Sequence, residues 1–401
     1  MKITGQYVGF GDCFTVDEPR RNETLLVDFG SDTPKALKGA EQNILDCCEG
    51  RRFSVVLTHF HQDHINGFWE TDLPQKIDIQ TVYLPDILAM RRTETQFDFL
   101  QVQVLYDLFS SVVLKRRPVE ITLYSLLEQL TKNRAKVVFS QRGSSFQFAG
   151  QEFQILWPNF SVLKLDSRFE RSLSDLLRRL ELLDRDESFD RDEKKRAHIR
   201  YVDDIINLLL EGYSALHRGE AEAARRRFNR IEELLEDFSG WREHLSRDVL
   251  DAIKQRMAAL KNQGNRISLV FQDTPQGGRS RLLMTGDATA ADLDWIITRS
   301  EKNLGGPRLA KEYTAIKAPH HGTHSHFVPD FPACGHILIS NGTPSPQHLN
   351  WGEISYLYGG FYASHRGCQI HCTSDRCQLW TMRATRPCGS CPGSCVTVNL
   401  P

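Results

Sequence analysis

The pattern of hydrophobic and polar positions predicts two mixed α/β segments separated by a purely helical one. Short apolar runs between turn residues are typical of strands, and longer stretches with apolar residues three or four positions apart are typical of helices. Before residue 164 this predicts strands at 2–8, 24–29, 53–57, 80–84, 136–140 and 153–157, and helices at 34–48, 97–115 and 121–130. After residue 264 it predicts strands at 267–272, 281–285, 313–318 and 336–340, and a helix at 290–300.

Between 164 and 264 the strand pattern disappears. Apolar residues there recur at helical spacing, with Ile231, Leu234 and Leu235 on one face, so we predict a helical insertion. Its charge runs at 191–196 and 225–227 are better explained as solvated helix faces than as a nucleic-acid site. The predicted organisation is an N-terminal half at 1–163, the insertion at 164–264, a C-terminal half at 265–383 and a Cys-rich tail at 384–401.

The composition is that of a globular protein. Because its net charge is close to zero, the chain as a whole has no electrostatic field that would attract nucleic acid or a membrane. The 401 residues are 40% hydrophobic and 25% charged, with a net charge of −1. The first ten residues lack the apolar core of a signal peptide, and no apolar run reaches the roughly eighteen residues that a membrane span needs. We therefore expect a cytoplasmic protein that does not bind membranes.

Six of the ten cysteines lie between 368 and 395. In a cytosolic chain such clustering favours metal binding over disulfides. One interpretation is a structural zinc site formed by Cys372, Cys377, Cys388 and Cys391, in which the last two have a zinc-knuckle spacing. The other interpretation is that these are reduced surface or packing thiols.

The segment after the predicted strand 53–57 contains four side chains that can bind a metal. His59, His61, Asp63 and His64 lie within six residues. Buried imidazoles and carboxylates need partners, and together they suit zinc, manganese or iron. This segment therefore predicts a metal site.

Two later predicted strands are also followed directly by side chains that can bind a metal. The run LLMTGD ends at Asp287, whose two oxygens could bridge two cations, although a turn with an N-capping Asp is an equal alternative for this segment alone. The run KAPHHGTHSH, residues 317–326, contains four of the fourteen histidines. Such concentration is hard to attribute to packing.

These segments resemble the motifs of the metallo-β-lactamase superfamily, in the order expected for it. They are VGFGD (8–12), LLVDFG (25–30), THFHQDHINGF (58–68), LLMTGD and KAPHHGTHSH. The resemblance is greatest to the branch that contains the metallohydrolase domain of bacterial DNA-uptake competence proteins and the choline-phosphate esterases. It covers about residues 1–160 and 265–380, and it implies an α+β protein with an αββα sandwich and an inserted helical subdomain.

The resemblance also implies roles for individual residues. His59 and His61 would bind a first metal, Asp63 and His64 a second one, and Asp287 would bridge them. His321 is assigned as another ligand of the second metal and His320 as a substrate-facing acid–base group, although the two could be exchanged because adjacent residues point in opposite directions. The residues assigned to support the ligands or line the pocket are Asp12, Asp28, Lys317, Asn341 and His348.

The chain departs from the superfamily pattern in one respect. Many members have a further histidine between the first motif and the bridging Asp, whereas here no histidine occurs between His64 and His198. The expected cofactor is therefore one or two divalent ions, with zinc favoured and manganese or iron as alternatives.

The function implied is hydrolysis by a metal-activated water, with Asp63 and His320 as catalytic groups. Phosphodiesters, in nucleic acids or nucleotides, are favoured as substrates because two cations about 3.5–4 Å apart can hold both oxygens of a displacement. Hydrolysis of an ester, lactone, thioester or β-lactam is the enzymatic alternative. The third hypothesis is a non-catalytic scaffold that binds a partner, or itself, through residues 164–264.

Overall fold

The computed structural model describes residues 1–91, 97–114, 123, 126, 127, 129, 135–184, 198–240, 245–342, 368–373 and 394–401. The chain divides into two compact units. One consists of Met1–Asp86, Asn133–Asn159 and Asn265–Pro401, and the other of Ile87–Lys132 and Phe160–Gly264.

In its described residues, the first unit contains two mixed sheets of seven strands each. Sheet 1 contains β1 (Lys2–Gly5), β2 (Cys13–Glu18), β3 (Glu23–Phe29), β4 (Arg52–Val56), β5 (Asp78–Pro85), β6 (Lys136–Ser140) and β14 (Val396–Asn399). Sheet 2 contains β7 (Ser145–Phe148), β8 (Gln151–Trp157), β9 (Val270–Asp273), β10 (Arg279–Met284), β11 (Glu312–Lys317), β12 (Ala333–Ile339) and β13 (Gln369–Cys372).

Each sheet has a parallel half that ends near the candidate site. The order is β14-β1-β2-β3-β4-β5-β6 in sheet 1 and β13-β12-β11-β10-β9-β8-β7 in sheet 2. Strands β3 to β6 are parallel, and so are β10 to β13. Because the carboxyl ends of parallel strands lie at one edge of a sheet, the loops that follow them are brought together.

One hydrophobic core joins the two sheets. It includes Phe14 and Val27 from sheet 1, and Phe153 and Phe271 from sheet 2, all nearly fully buried. The helices of this unit are α1 (Pro34–Cys48), α2 (Gln62–Ile65), α3 (Gly67–Glu70), α4 (Leu73–Lys76) and, late in the chain, α10 (Ala290–Glu301). Two mixed sheets with a shared core and flanking helices are compatible with an α+β sandwich.

In its described residues the second unit is helical. Its helices are α5 (Phe99–Leu114), α6 (Ser167–Asp184), α7 (His198–His217), α8 (Ala221–Gly240) and α9 (Arg247–Asn265). Helices α7 and α8 pack along each other, and α5 contacts both of them. Gly212 lies inside α7. A Cβ there would lie 2.7 Å from the Phe228 ring, so glycine allows α8 to approach closely.

The units divide the chain differently from the sequence-based boundaries. The predicted helix at 97–115 corresponds to α5, which contacts the helices of the second unit although it precedes residue 164. The predicted helix at 121–130 lies mostly outside the described residues. The end of the predicted tail, β14, pairs antiparallel with β1 and so completes sheet 1.

Candidate metal centre

The candidate metal-binding residues lie at the carboxyl ends of neighbouring strands in both sheets. The segment with His59, His61, Asp63 and His64 follows β4, and β10 leads into the turn that carries Asp287. All five side chains are almost completely buried. The remaining members are Asp28 at the end of β3, Asp12 just before β2, His320 and His321 after β11, and Asn341 after β12.

Close backbone approach holds the first motif against the end of β3. A Cβ at Gly30 would lie 2.3 Å from the backbone nitrogen of His64, so only glycine fits there without movement. The backbone N–H of Asp12 donates to the Asp63 carbonyl at 2.9 Å, and that of Gly30 donates to the Asp12 carbonyl at 3.0 Å. Three chain segments are therefore tied together at the site.

Left-handed backbone conformations occur at three site residues that are not glycine. The φ angles are 54° at Asp28, 46° at His320 and 56° at His321. Such conformations are uncommon outside glycine and cluster at functional sites, where the surrounding structure holds them. At His320 and His321 they turn two successive imidazoles toward the same carboxylate.

Asp287 is the centre of the arrangement. Its Oδ2 lies 3.2 Å from His64 Nε2, 3.7 Å from His320 Nε2, 3.8 Å from His321 Nε2 and 3.9 Å from His59 Nε2. Neither carboxylate oxygen accepts a hydrogen bond of good geometry from the described residues. A fully buried carboxylate surrounded by imidazole nitrogens at these distances has the environment of a metal ligand.

Two other carboxylates orient the histidines. Asp28 Oδ2 lies 2.8 Å from His64 Nδ1, and Asp28 also accepts hydrogen bonds from the backbone N–H and the hydroxyl of Thr58, both at 2.7 Å. Asp12 Oδ1 lies 3.0 Å from His321 Nδ1. A carboxylate at Nδ1 fixes the tautomer that leaves Nε2 available as a ligand, which is the usual support for a metal-binding histidine.

Lys317 is a buried cation beside this cluster. Its ammonium group forms a short ion pair with Asp12 Oδ2, donates to the Gly286 carbonyl at 2.9 Å and lies 3.6 Å from Asp287 Oδ1. Only 1% of its side chain is exposed. Lys317 therefore offsets part of the negative charge of Asp287 from the Oδ1 side, whereas the four histidine distances are to Oδ2.

The electrostatics favour positive charge at the centre of the cluster. Burial lowers the pKa of His321, but Asp287 and Asp12 raise it more strongly, to about 9. The pKa of His64 is also raised well above its ordinary value, because carboxylates led by Asp287 outweigh burial. Burial raises the pKa of Asp287, yet His64 and His321 bring it well below its usual range. His59 behaves in the opposite way: burial, then the neighbouring imidazoles, lower its pKa well below normal.

Four of the buried residues form a group that could hold a metal ion. One ligand atom from each of Asp12, His64, Asp287 and His321 lies within 4.8 Å of the others. Within the described part of the chain, the Nε2 atoms of His64 and His321 and both oxygens of Asp287 lack hydrogen bonds although they are buried. These orphaned atoms, together with the mixture of imidazole and carboxylate, fit a divalent transition metal.

The first two histidines of the motif lie beside this group. His59 Nε2 is 2.9 Å from His61 Nδ1, and Thr58 Oγ1 lies 3.1 Å from His59 Nδ1. Asp63 Oδ2 lies 3.5 Å from His321 Nε2. The structure thus brings together the candidate metal ligands that were predicted from the two halves of the sequence.

His320 is more accessible than the other site histidines. Its side chain is 13% exposed, whereas the side chains of His59, His64 and His321 are fully buried. Its Nδ1 lies 2.6 Å from Thr323 Oγ1, and its ring stacks on His326 at a centroid distance of 4.0 Å. Thr323 therefore holds the ring with Nε2 directed toward Asp287.

Asn341 lines the site through its amide, which donates to the His321 carbonyl at 3.0 Å.

Four of the predicted site residues lie outside the described residues: His348, Cys377, Cys388 and Cys391. The zinc site predicted for the tail therefore stays a prediction. Its remaining member, Cys372, is buried in β13.

Sequence reasoning missed three residues at this site. Thr58 joins Asp28 to the first motif, Thr323 holds His320, and the Phe10 ring packs on His321 at a centroid distance of 4.5 Å. Each lies inside a segment that the sequence had singled out. A threonine hydroxyl or a phenylalanine ring does not by itself indicate a functional site in a sequence, because its role depends on which charged group it contacts in the folded protein.

Comparisons with protein-family models and with curated proteins find no match to this chain. Among the described helices, none has the length and apolar character needed to cross a membrane.

Proposed function

We propose that this chain is a metal-dependent hydrolase of the metallo-β-lactamase type, with phosphodiesters as its favoured substrates. The observation that carries the proposal is the position of Asp287, whose Oδ2 lies 3.2–3.9 Å from four histidine Nε2 atoms and accepts no hydrogen bond of good geometry from the described residues. Both oxygens of Asp287 and the Nε2 atoms of His64 and His321 are buried without a hydrogen bond in the described residues, as is expected where a cation belongs between them.

The fold supports this assignment. Two mixed sheets share one core, and the candidate ligands follow the carboxyl ends of parallel strands in both sheets. This is the architecture expected of an αββα sandwich, and the order of the motifs along the chain agrees with it. Along the chain, the segments of the helical second unit lie between segments of the first unit, as those of an inserted subdomain would.

The donor set supports one or two transition-metal ions, with zinc favoured over manganese or iron. His64, His321 and Asp287 would hold one ion, assisted by Asp63, and His59 and His61 would hold a second beside Asp287. When bound, such an ion lowers the pKa of a coordinated water toward neutrality and acts as a Lewis acid toward the substrate.

The protein's own residues would complete the chemistry. Asp63, buried 3.5 Å from His321 Nε2, is positioned to accept a proton from the attacking water. His320 is partly exposed and held by Thr323, so it is positioned to donate a proton to the leaving group. Phe10 would form an apolar wall next to His321.

Metal analysis is the direct test. Purified protein is expected to contain at least about one equivalent of zinc, manganese or iron, and Asp63→Ala/His64→Ala should lose it. Asp72→Ala is a suitable control, because the Asp72 side chain is 82% exposed. Unchanged metal content in the double variant would contradict the assignment.

The substrate class requires a separate screen. The panel is bis-p-nitrophenyl phosphate, single-stranded DNA, cyclic dinucleotides and lactones, each tested with zinc, manganese and iron. Turnover of the phosphodiesters that disappears in Asp63→Ala/His64→Ala would support the proposal. Lactone turnover without phosphodiesterase activity would identify the ester-type hydrolase instead, and no turnover of any substrate by metal-loaded protein would favour the scaffold hypothesis.

A further inference from the structure

His320 differs from two neighbouring candidate ligands in the group that contacts its Nδ1 atom. In His64 and His321 that atom lies beside a carboxylate oxygen, at 2.8 and 3.0 Å. In His320 it lies 2.6 Å from the hydroxyl oxygen of Thr323. An ionised carboxylate can only accept a hydrogen bond, whereas a hydroxyl can also donate one. The partner of His320 therefore allows a different position of the ring proton.

The other nitrogen of the His320 ring determines which position is favoured. His320 Nε2 lies 3.7 Å from Asp287 Oδ2. A ring nitrogen that faces a carboxylate is stabilised when it carries the proton, and a ring nitrogen that faces a hydroxyl can accept the hydroxyl hydrogen. In the neutral ring the proton therefore belongs on Nε2, and in the charged ring Nε2 carries a proton as well.

His326 contacts both Thr323 and His320. Its Nδ1 lies 3.2 Å from Thr323 Oγ1, and its ring stacks on that of His320 with the centroids 4.0 Å apart and an angle of 26° between the planes. Thr323 and His326 are both buried. A hydroxyl has one hydrogen, so when Thr323 donates it to His320, its oxygen can still accept from His326. Ser325 Oγ, 3.0 Å from His326 Nδ1, is a second oxygen that can accept this proton.

We propose that Thr323 and His326 are positioning residues that keep a proton on His320 Nε2. The Thr323 hydroxyl donates to His320 Nδ1 and accepts from His326 Nδ1, while the stacked His326 ring fixes the plane of the His320 ring. His320 then presents an N–H toward Asp287 and does not bind metal through Nε2. This inference deepens the proposed function, and it rests on that function where it assigns the N–H to the leaving group of a substrate.

Side-chain nitrogen NMR tests the proton position without any substrate. Protonated and unprotonated ring nitrogens have well-separated chemical shifts, and the signals missing from the spectrum of His320→Asn identify His320. The spectra are recorded on zinc-loaded protein at about pH 8, above the ordinary histidine pKa of about 6.5. We expect a protonated Nε2 and an Nδ1 whose shift shows that it accepts a hydrogen bond. Thr323→Val should lose that hydrogen-bond shift, and Thr323→Ser, which keeps the hydroxyl, should retain it.

Metal content and kinetics separate positioning from support of the metal centre. Thr323→Val and His326→Ala should retain zinc and the KM of wild type, and their kcat should fall by about 10–100-fold. Thr323→Ser should restore kcat, and His326→Phe, which keeps a ring against His320, should restore part of it. Thr298→Val, at a partly exposed position of α10, is the matched control and should behave as wild type does.

Circular dichroism of each variant checks that the fold is intact. The proposal is overturned if wild type has its His320 proton on Nδ1, if Thr323→Val leaves the His320 signals unchanged, or if Thr323→Val and His326→Ala lose zinc. Failure of the proposed function has a different signature. In that case wild type turns over no substrate of the screen, whereas the spectra of wild type, Thr323→Val and Thr323→Ser still differ as expected and support the positioning role.

Discussion

Asp28 Oδ2 lies 2.8 Å from His64 Nδ1, and the other nitrogen of the same ring, Nε2, lies 3.2 Å from Asp287 Oδ2. The imidazole therefore connects a carboxylate at the end of β3 in sheet 1 with one in the turn after β10 in sheet 2. Because Asp28 is acceptor-only when ionised, it holds the ring proton on Nδ1 and leaves Nε2 free to bind a cation.

Replacing Asp28 by asparagine should weaken metal binding while preserving the fold. The new amide can donate to His64 Nδ1, which moves the ring proton to Nε2, the nitrogen that faces Asp287. We expect the metal affinity of Asp28→Asn to fall by about 10–100-fold, measured by competition with a chromogenic chelator. Asp72→Asn, at an exposed site, should bind as wild type does. Wild-type affinity in Asp28→Asn would contradict this role.

Substitutions of the adjacent residues His320 and His321 should have different effects on metal content and turnover. His321 is fully buried against Asp12, so His321→Asn is expected to lose metal. His320 is partly exposed and held by Thr323, so His320→Asn should retain metal but lose about 100-fold or more in turnover of a substrate found in the screen. Metal content and kcat measured on both variants check the assignment, and the reverse pattern would exchange the two roles.

Gly30 should tolerate no side chain. A Cβ there would lie 2.3 Å from the His64 nitrogen and 2.5 Å from the Asp63 carbonyl carbon, both backbone atoms. We expect Gly30→Ala to lower the free energy of unfolding by about 2–4 kcal/mol and to weaken metal binding. Gly39 is the matched control, since it lies exposed in α1 and a Cβ added there would meet no atom outside its own helix within 4 Å. Gly39→Ala should stabilise by about 0.5–1 kcal/mol in urea denaturation.

The buried Asp107 of α5 should make the stability of the protein pH-dependent. Burial raises its pKa well above the ordinary value, although Leu123 N–H and Gln103 donate to it at 3.4 and 3.0 Å. A raised carboxyl pKa gives stability that is full below the unfolded-state value of about 3.9 and is lost as the pH rises through the folded-state value. Asp107→Asn should therefore be more stable than wild type at neutral pH.

Urea denaturation of wild type and Asp107→Asn from pH 4 to pH 8 would measure this difference. The advantage of the variant should grow as the pH rises and then level off above the folded-state pKa. Asp203→Asn, at an exposed position of α7, should show no such trend. A constant difference between wild type and Asp107→Asn at all pH values would argue against a shifted pKa.

The pattern of apolar and polar residues was sufficient to predict those helices and strands that are determined mainly by their own residues. The helix predicted at 34–48 is confirmed with the same bounds, and β3, β4, β6 and β8 appear where apolar runs predicted them. Strand β2 was missed because its sequence, CFTVDE, contains a buried aspartate. Asp17 is stabilised there by Arg51 at 3.1 Å and Thr24 at 2.9 Å, which are contacts between distant segments.

The sequence by itself determined which side chains are available as ligands at the candidate metal centre, because residue type and motif order are properties of the chain. It provided His59, His61, Asp63 and His64 in one segment, and Asp287 and the histidines after β11 in others. Only the tertiary structure decided that these segments meet around Asp287. It also decided that Asp28 and Asp12 each orient one histidine. Those relationships depend on the order of the strands and on the packing of the two sheets, which bring together residues that are 36 positions apart, as Asp28 and His64 are, or 309 apart, as Asp12 and His321 are.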